Sequence, residues 1–245
     1  MLIWTPPWPS LKDAGKSEIR SAWVMCDEAG LNFASHTGTP EHLVSRARSM
    51  LLEAFPTIER ALWLNQVHSA DVLQIHHSLS IKQVNSKPIT ADGSCITVPG
   101  IASIVLTADC LPVLFRDLRH GRVAAIHAGW RGLANGIVQK TAALFDPQYC
   151  QVSIGPCISA RHFEVGQDVV QAFAGFSAFF SPGASKDKAH GDLAGIAVAL
   201  LESCGILKEA ISVSSRCTFE DAELPSFRKD MTPLRMASLI WQVNA

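Results

Sequence analysis

A chain of 245 residues, 48% of them hydrophobic and 18% charged, carries enough apolar surface for a large buried core, which excludes a disordered chain. Its formal net charge of −1 excludes a general electrostatic grip on nucleic acid or on an acidic membrane. The most apolar stretch, residues 101–115, contains Asp109 and Pro112 and is too short to cross a bilayer.

The first nine residues lack the basic and apolar regions of a signal peptide, so the expectation is a cytoplasmic protein with neither nucleic acid nor membrane as partner. Seven cysteines, odd in number and without a C-x-x-C pair, do not suggest a disulfide framework. Most are expected to pack as small hydrophobes.

Residues 41–55 show helical spacing of apolar positions. Residues 61–66 and 71–75 read as short strands flanking a turn that carries His68. Residues 101–107 read as a strand buried on both faces. Segments 112–116 and 122–127 then read as a hairpin around 117–121. The pattern turns helical after Gly132 and runs to Phe145, returns to strand over 151–154, and is helical again over 166–173 and 193–204. A last strand covers 211–214, and 175–190 reads as a loop excursion. The expected fold is α/β (mixed α+β): a single domain over 1–245, with mixed β-sheets flanked by helices.

Three segments put a metal-capable side chain at a turn beside an apolar strand. They are Gln66-Val67-His68, Ala108-Asp109-Cys110-Leu111-Pro112 and His127-Ala128-Gly129-Trp130-Arg131-Gly132. Singly, each has an ordinary explanation: a hydrogen-bonded histidine, or a core cysteine. Together, two imidazoles and one thiolate suit zinc, and three protein ligands leave a fourth position open for water or phosphate. An open zinc site makes hydroxide available near neutral pH. Gly129 and Gly132 permit a tight turn into a helix, and with Arg131 they could seat an anion or form an ordinary surface turn. The run Ser226-Phe227-Arg228-Lys229-Asp230 and Arg235 concentrates positive charge around an aromatic ring, either as a solvated face or as a cover for an anionic substrate. Glu164 is an acid–base candidate or a helix N-terminal charge.

These segments, with Phe163-Glu164-Val165-Gly166 and Arg235-Met236-Ala237-Ser238, resemble in order the landmarks of the YfiH family, also called the laccase-domain or polyphenol oxidase family. The resemblance runs from about Asn32 to the C-terminus. It implies zinc held by His68, Cys110 and His127, the catalytic residues. It implies purine nucleoside phosphorylase activity on adenosine, inosine and S-methyl-5'-thioadenosine with phosphate, and adenosine deaminase activity. Arg131 and Arg228 are the candidate substrate contacts. Asn32 and His36 also match the family pattern. Where the family has a Thr-Arg-x-Gly-Gly segment, this chain has Val24-Met25-Cys26-Asp27-Glu28-Ala29-Gly30, which lacks the basic residue; Pro225 and Pro233-Leu234 are further departures.

Two alternatives stay open: a cysteine hydrolase with Cys110 as nucleophile and His127 as base, and a peptidoglycan-precursor editing factor. A copper oxidase fits poorly, since the nine histidines include no His-x-His pair. A non-enzymatic module with structural zinc would be expected to offer four ligands rather than three.

Overall fold

The structure, a computed structural model, describes residues 1–9, 17–26, 28–76 and 88–244. Two sheets face each other. The first has five strands in the order Leu2–Trp4, Ile19–Met25, Met236–Gln242, Ile101–Thr107, Arg60–Leu62. The second has six, in the order Ile211–Val213, Cys150–Ile154, Leu111–Asp117, Arg122–Ala128, Gly93–Ile96, Val72–Ile75. The centres are antiparallel, and parallel pairs occur at one edge of the first sheet and both edges of the second. The fold is therefore mixed α/β, as the sequence pattern leads one to expect.

Side-chain alternation sorts the core into layers. Ile101 and Val105 meet Leu114, Val123 and Ala125 between the sheets. Ala102, Ile104 and Leu106 point the other way and pack with Ala47 and Leu51 of the helix Glu41–Ala54. Leu111, Val113, Phe115, Ala124 and Ile126 cover the outer face of the second sheet, packed with Leu133, Ile137 and Val138 and with Ile196 and Leu200 of the helix Leu193–Ser203. The result is helix, sheet, sheet, helix. With both faces of the central strands covered, their sequences run apolar without a polar alternate.

Three expectations change. The helix expected over 133–145 is two short helices, Trp130–Ala134 and Ile137–Ala142, separated at Gly136, whose φ of 87° is left-handed and stops the first. The 175–190 stretch contains most of a kinked 3-10 segment, Ala174–Phe179, and the strands Phe180–Pro182 and Lys188–Gly191, the latter pairing with both Phe180–Pro182 and Glu164–Gly166 as the centre of a three-stranded sheet. Strands Ile19–Met25 and Met236–Gln242, central to the first sheet, carry no strand reading in the sequence. Among the described residues no helix is long and apolar enough to cross a membrane.

Candidate metal centre

Each of the three side chains is placed by local backbone chemistry. Gln66 clasps the end of Ile101–Thr107: its Nε2 donates to the Leu106 carbonyl and its Oε1 accepts from the Leu106 N–H, both at 2.8 Å. The next turn carries His68 with a left-handed φ of 60°. That turn aims three successive N–H groups, of Val67, His68 and Ser69, at the buried Asp92 carboxylate, at 3.1, 2.9 and 2.6 Å.

Cys110 sits in the tight connection between Ile101–Thr107 and Leu111–Asp117, beside Asp109, which adopts a φ of 81°. Asp109 suits that strained turn because its carboxylate is used twice, accepting from Thr218 Oγ1 and from the Arg228 N–H, both at 2.6 Å. His127 lies on Arg122–Ala128 with Pro112 as its register partner on one side, so the Cys110 turn follows directly at the sheet rim. On the other side Ile126 pairs with Gly93, which brings Asp92 opposite His127. The His127 N–H donates to the Asp92 carbonyl at 2.7 Å.

The three side chains converge. One ligand atom from each of His68, Cys110 and His127 lies within 4.8 Å of the others. Cys110 Sγ is 3.9 Å from His68 Nε2, and the two imidazole rings sit 4.7 Å apart, edge to face. His127 Nδ1 donates to Asp92 Oδ1 at 2.8 Å, because an ionised carboxylate can only accept; Nε2 is thereby left facing the cysteine and His68. Two imidazole nitrogens and a thiolate, with a carboxylate behind one ring, are a donor set that fits a borderline-soft divalent cation.

Electrostatics favour the ionised forms. Burial penalises a charged Asp92, yet the His127 and Ser69 hydrogen bonds outweigh it and hold the carboxylate down at about 2. Burial also opposes ionisation of the Cys110 thiol, and the charge and hydrogen bond of His127 overcome it, bringing the thiol to about 6. His127 in turn is raised to about 9: burial works against its charge, while Cys110 and Asp92 favour it. Each group thus favours the other's charged form, His127 easing ionisation of the Cys110 thiol and Cys110 that of the imidazole. Cys95 and Cys157 behave oppositely, burial pushing Cys95 up to about 11 and Cys157 up to about 12.

Gly129 and Gly132 have a different purpose from the turn flexibility read in the sequence. Gly129 has an ordinary φ of −66°, but a Cβ there would come within 2.7 Å of His68 Cδ2 and 3.1 Å of Cys110 Sγ. At Gly132 a Cβ would meet the Ser69 carbonyl at 2.6 Å. Both glycines let the strand-to-helix segment press against the His68 turn.

The three side chains line a cleft of about 320 Å³, together with Phe163, Phe227, Arg228 and Arg235. Arg228 is held over the Phe163 ring, its Nη1 donating to the Glu164 carbonyl at 2.9 Å. The cleft does not reach Arg131, which is exposed, with its guanidinium over its neighbour Trp130. The Glu164 carboxylate also points elsewhere, accepting from the Ala184 N–H at 2.8 Å. Asp92 escapes the sequence reading altogether. Its one signal is a lone carboxylate between the uncharged Ile89-Thr90-Ala91 and the strand that begins at Gly93.

The chain belongs to the multi-copper polyphenol oxidoreductase laccase family, whose model matches residues 17–243. It is similar to the Escherichia coli K12 protein named purine nucleoside phosphorylase YfiH, 38% identical over 249 residues and spanning 97% of this chain and 98% of that one. A Pseudomonas aeruginosa protein also named as a purine nucleoside phosphorylase is 35% identical over 97% of both chains. Among solved structures, a Neisseria meningitidis protein matches with a TM-score of 0.84 at 31% identity over 99% of both chains. YlmD from Geobacillus stearothermophilus matches at 0.81, with 25% identity over 92% of each.

Proposed function

We propose that residues 1–245 form one cytoplasmic catalytic domain, a zinc-dependent purine nucleoside phosphorylase acting on adenosine, inosine and S-methyl-5'-thioadenosine, with adenosine deaminase activity. The observation that carries this reading is the convergence of His68, Cys110 and His127 at the wall of one cleft. The names of the relatives, aligned over nearly the whole chain, support the substrate class.

His68, Cys110 and His127 would hold the zinc, with Asp92 fixing the ring orientation of His127. Zinc held by three protein ligands supplies Lewis acidity and an open coordination position at neutral pH. Phe163 and the half-exposed Phe227 offer apolar faces suited to a purine ring. Arg228 brings a fixed positive charge for phosphate, and Arg131, outside the cleft lining, drops out of that role. In phosphorolysis the N-glycosidic bond breaks and a phosphate oxygen bonds the anomeric carbon. The cleft's part is to hold both reactants aligned and to limit water as a competing nucleophile.

Incubation with each nucleoside, with and without phosphate, tests the proposal. Free base and ribose 1-phosphate (or its methylthio counterpart) should form only with phosphate, while inosine should form from adenosine in either case. No turnover of any of the three would refute it.

One observation favours a second reading. Cys110 and His127, each favouring the other's charged form, also suit the nucleophile and base of a cysteine hydrolase. That reading leaves no task for His68, whose Nε2 faces the same sulfur.

A further inference from the structure

Asn32 and His36 stand out in the sequence without a task, and the structure gives them a shared one. Asn32 is 1% exposed, and its side-chain amide joins two turns about 200 residues apart. Nδ2 donates to Thr37 Oγ1 at 2.9 Å, to Thr39 Oγ1 at 3.1 Å and to the Pro233 carbonyl at 2.8 Å. Oδ1 accepts from the Arg235 N–H at 3.2 Å and from the Ala34 N–H at 3.3 Å. One turn carries His36 and the other Arg235, and both side chains line the cleft that holds His68, Cys110 and His127.

The half-buried Arg235 is held by backbone carbonyls and not by an ion pair, with Cys110 and Asp109 the negative groups near enough to favour its charge. Its Nη1 donates to the Thr232 and Leu234 carbonyls at 2.9 and 2.8 Å, and its guanidinium lies 5.8 Å from the centre of the Phe227 ring. Among the described residues neither Arg235 nor His36 has a carboxylate in ion-pair distance. The nearest candidate, Asp109, has both carboxylate oxygens occupied by Thr218 and the Arg228 N–H. Arg235 lies close enough to His36 for its charge to help burial push that imidazole's pKa down. Arg228 and Arg235 thus bring two guanidinium groups to one cleft, neither in ion-pair distance of a carboxylate among the described residues, an arrangement that suits an anion from outside.

We propose that Arg235 and His36 form the phosphate seat of the cleft, with Asn32 as the positioning residue that sets their separation. This rests on the phosphorylase reading for the identity of the anion. Arg235 supplies charge and the three N–H groups of Nε and Nη2 that the backbone carbonyls leave unused, and His36 supplies a ring N–H, so an inorganic phosphate is held between them.

The test is steady-state kinetics of the zinc-loaded enzyme, varying phosphate and nucleoside separately, for Arg235→Gln, Arg235→Lys and His36→Gln. Arg235→Gln should raise the KM for phosphate by roughly tenfold to a hundredfold while the KM for nucleoside stays about the same. Arg235→Lys, which keeps the charge and loses the fork, should fall between. His36 is exposed, so His36→Gln leaves the fold undisturbed and should raise the phosphate KM about tenfold. Unchanged phosphate KM in both Arg235→Gln and His36→Gln overturns the seat while leaving phosphorolysis standing. If the wild type shows no phosphate-dependent turnover, equilibrium titration with inorganic phosphate decides. Binding abolished by Arg235→Gln keeps the seat, and no binding, or binding unaffected by the change, overturns it.

Discussion

His68→Ala should lose both its metal and its turnover while remaining folded. The side chain is exposed, its ring contact is with His127 at the site itself, and the turn that presents it is held through backbone N–H groups on Asp92. Removing the imidazole therefore takes away a ligand and little else. Structural zinc binding of about 10–16 kcal/mol over four ligands corresponds to roughly 3 kcal/mol per ligand, or a loss of about a hundredfold in affinity. Metal analysis after gel filtration, beside a thermal melt of metal-stripped wild type and variant, separates the two effects. Coincident melts with metal absent from the variant match the expectation. Retained metal would mean that the ligand set is different.

Asp92 should give the largest stability effect of any residue at the site. Its carboxylate is fully buried and accepts from three consecutive N–H groups and from His127 Nδ1. Asp92→Ala leaves those four donors without a partner and should destabilise the protein by about 3–5 kcal/mol, as breaking a buried pair does. Asp92→Asn keeps the shape. It should fold, bind metal roughly 10- to 100-fold more weakly through a less firmly held His127, and lose activity in step. Because folding depresses the Asp92 pKa to about 2, its contribution to stability is complete above the unfolded value near pH 4 and is lost as pH falls towards 2. Wild type should therefore show an acid-side loss of stability that Asp92→Asn lacks. Chemical denaturation at several pH values measures both.

Much of this arrangement is legible in the chain itself. Ile101–Thr107 and the following hairpin are apolar enough to declare strands covered on both faces, and Cys110 and His127 fall at their ends. His68 stands out only as a histidine at a turn. What hides its proximity to the other two is register: no local pattern says that Gly93 pairs with Ile126, and that pairing is what delivers Asp92 to both histidines. Ile19–Met25 and Met236–Gln242 lie far apart in sequence and are neighbours only through long-range pairing, so periodicity within either gives a weak signal. The small sheet around Glu164 fails for a simpler reason. Its strands are three or four residues long, two of them ending at Pro182 and Gly191, and short strands lack room to show alternation. Arg131 sits in a glycine-rich strand-to-helix turn, a pattern that suits anion binding, yet the cleft is lined by Arg228 and Arg235 and not by Arg131.

Alkylation of Cys110 as a function of pH, with and without chelator and read by peptide mass, reaches the core of the account. In stripped protein the thiolate should be available down to about pH 6, whereas Cys95 and Cys157 stay inert. Zinc-loaded protein should protect Cys110 across that range, by at least about tenfold, because the sulfur is then engaged by the cation. Equal alkylation of Cys110 in loaded and stripped protein would contradict the metal centre and leave the cysteine as a nucleophile in its own right.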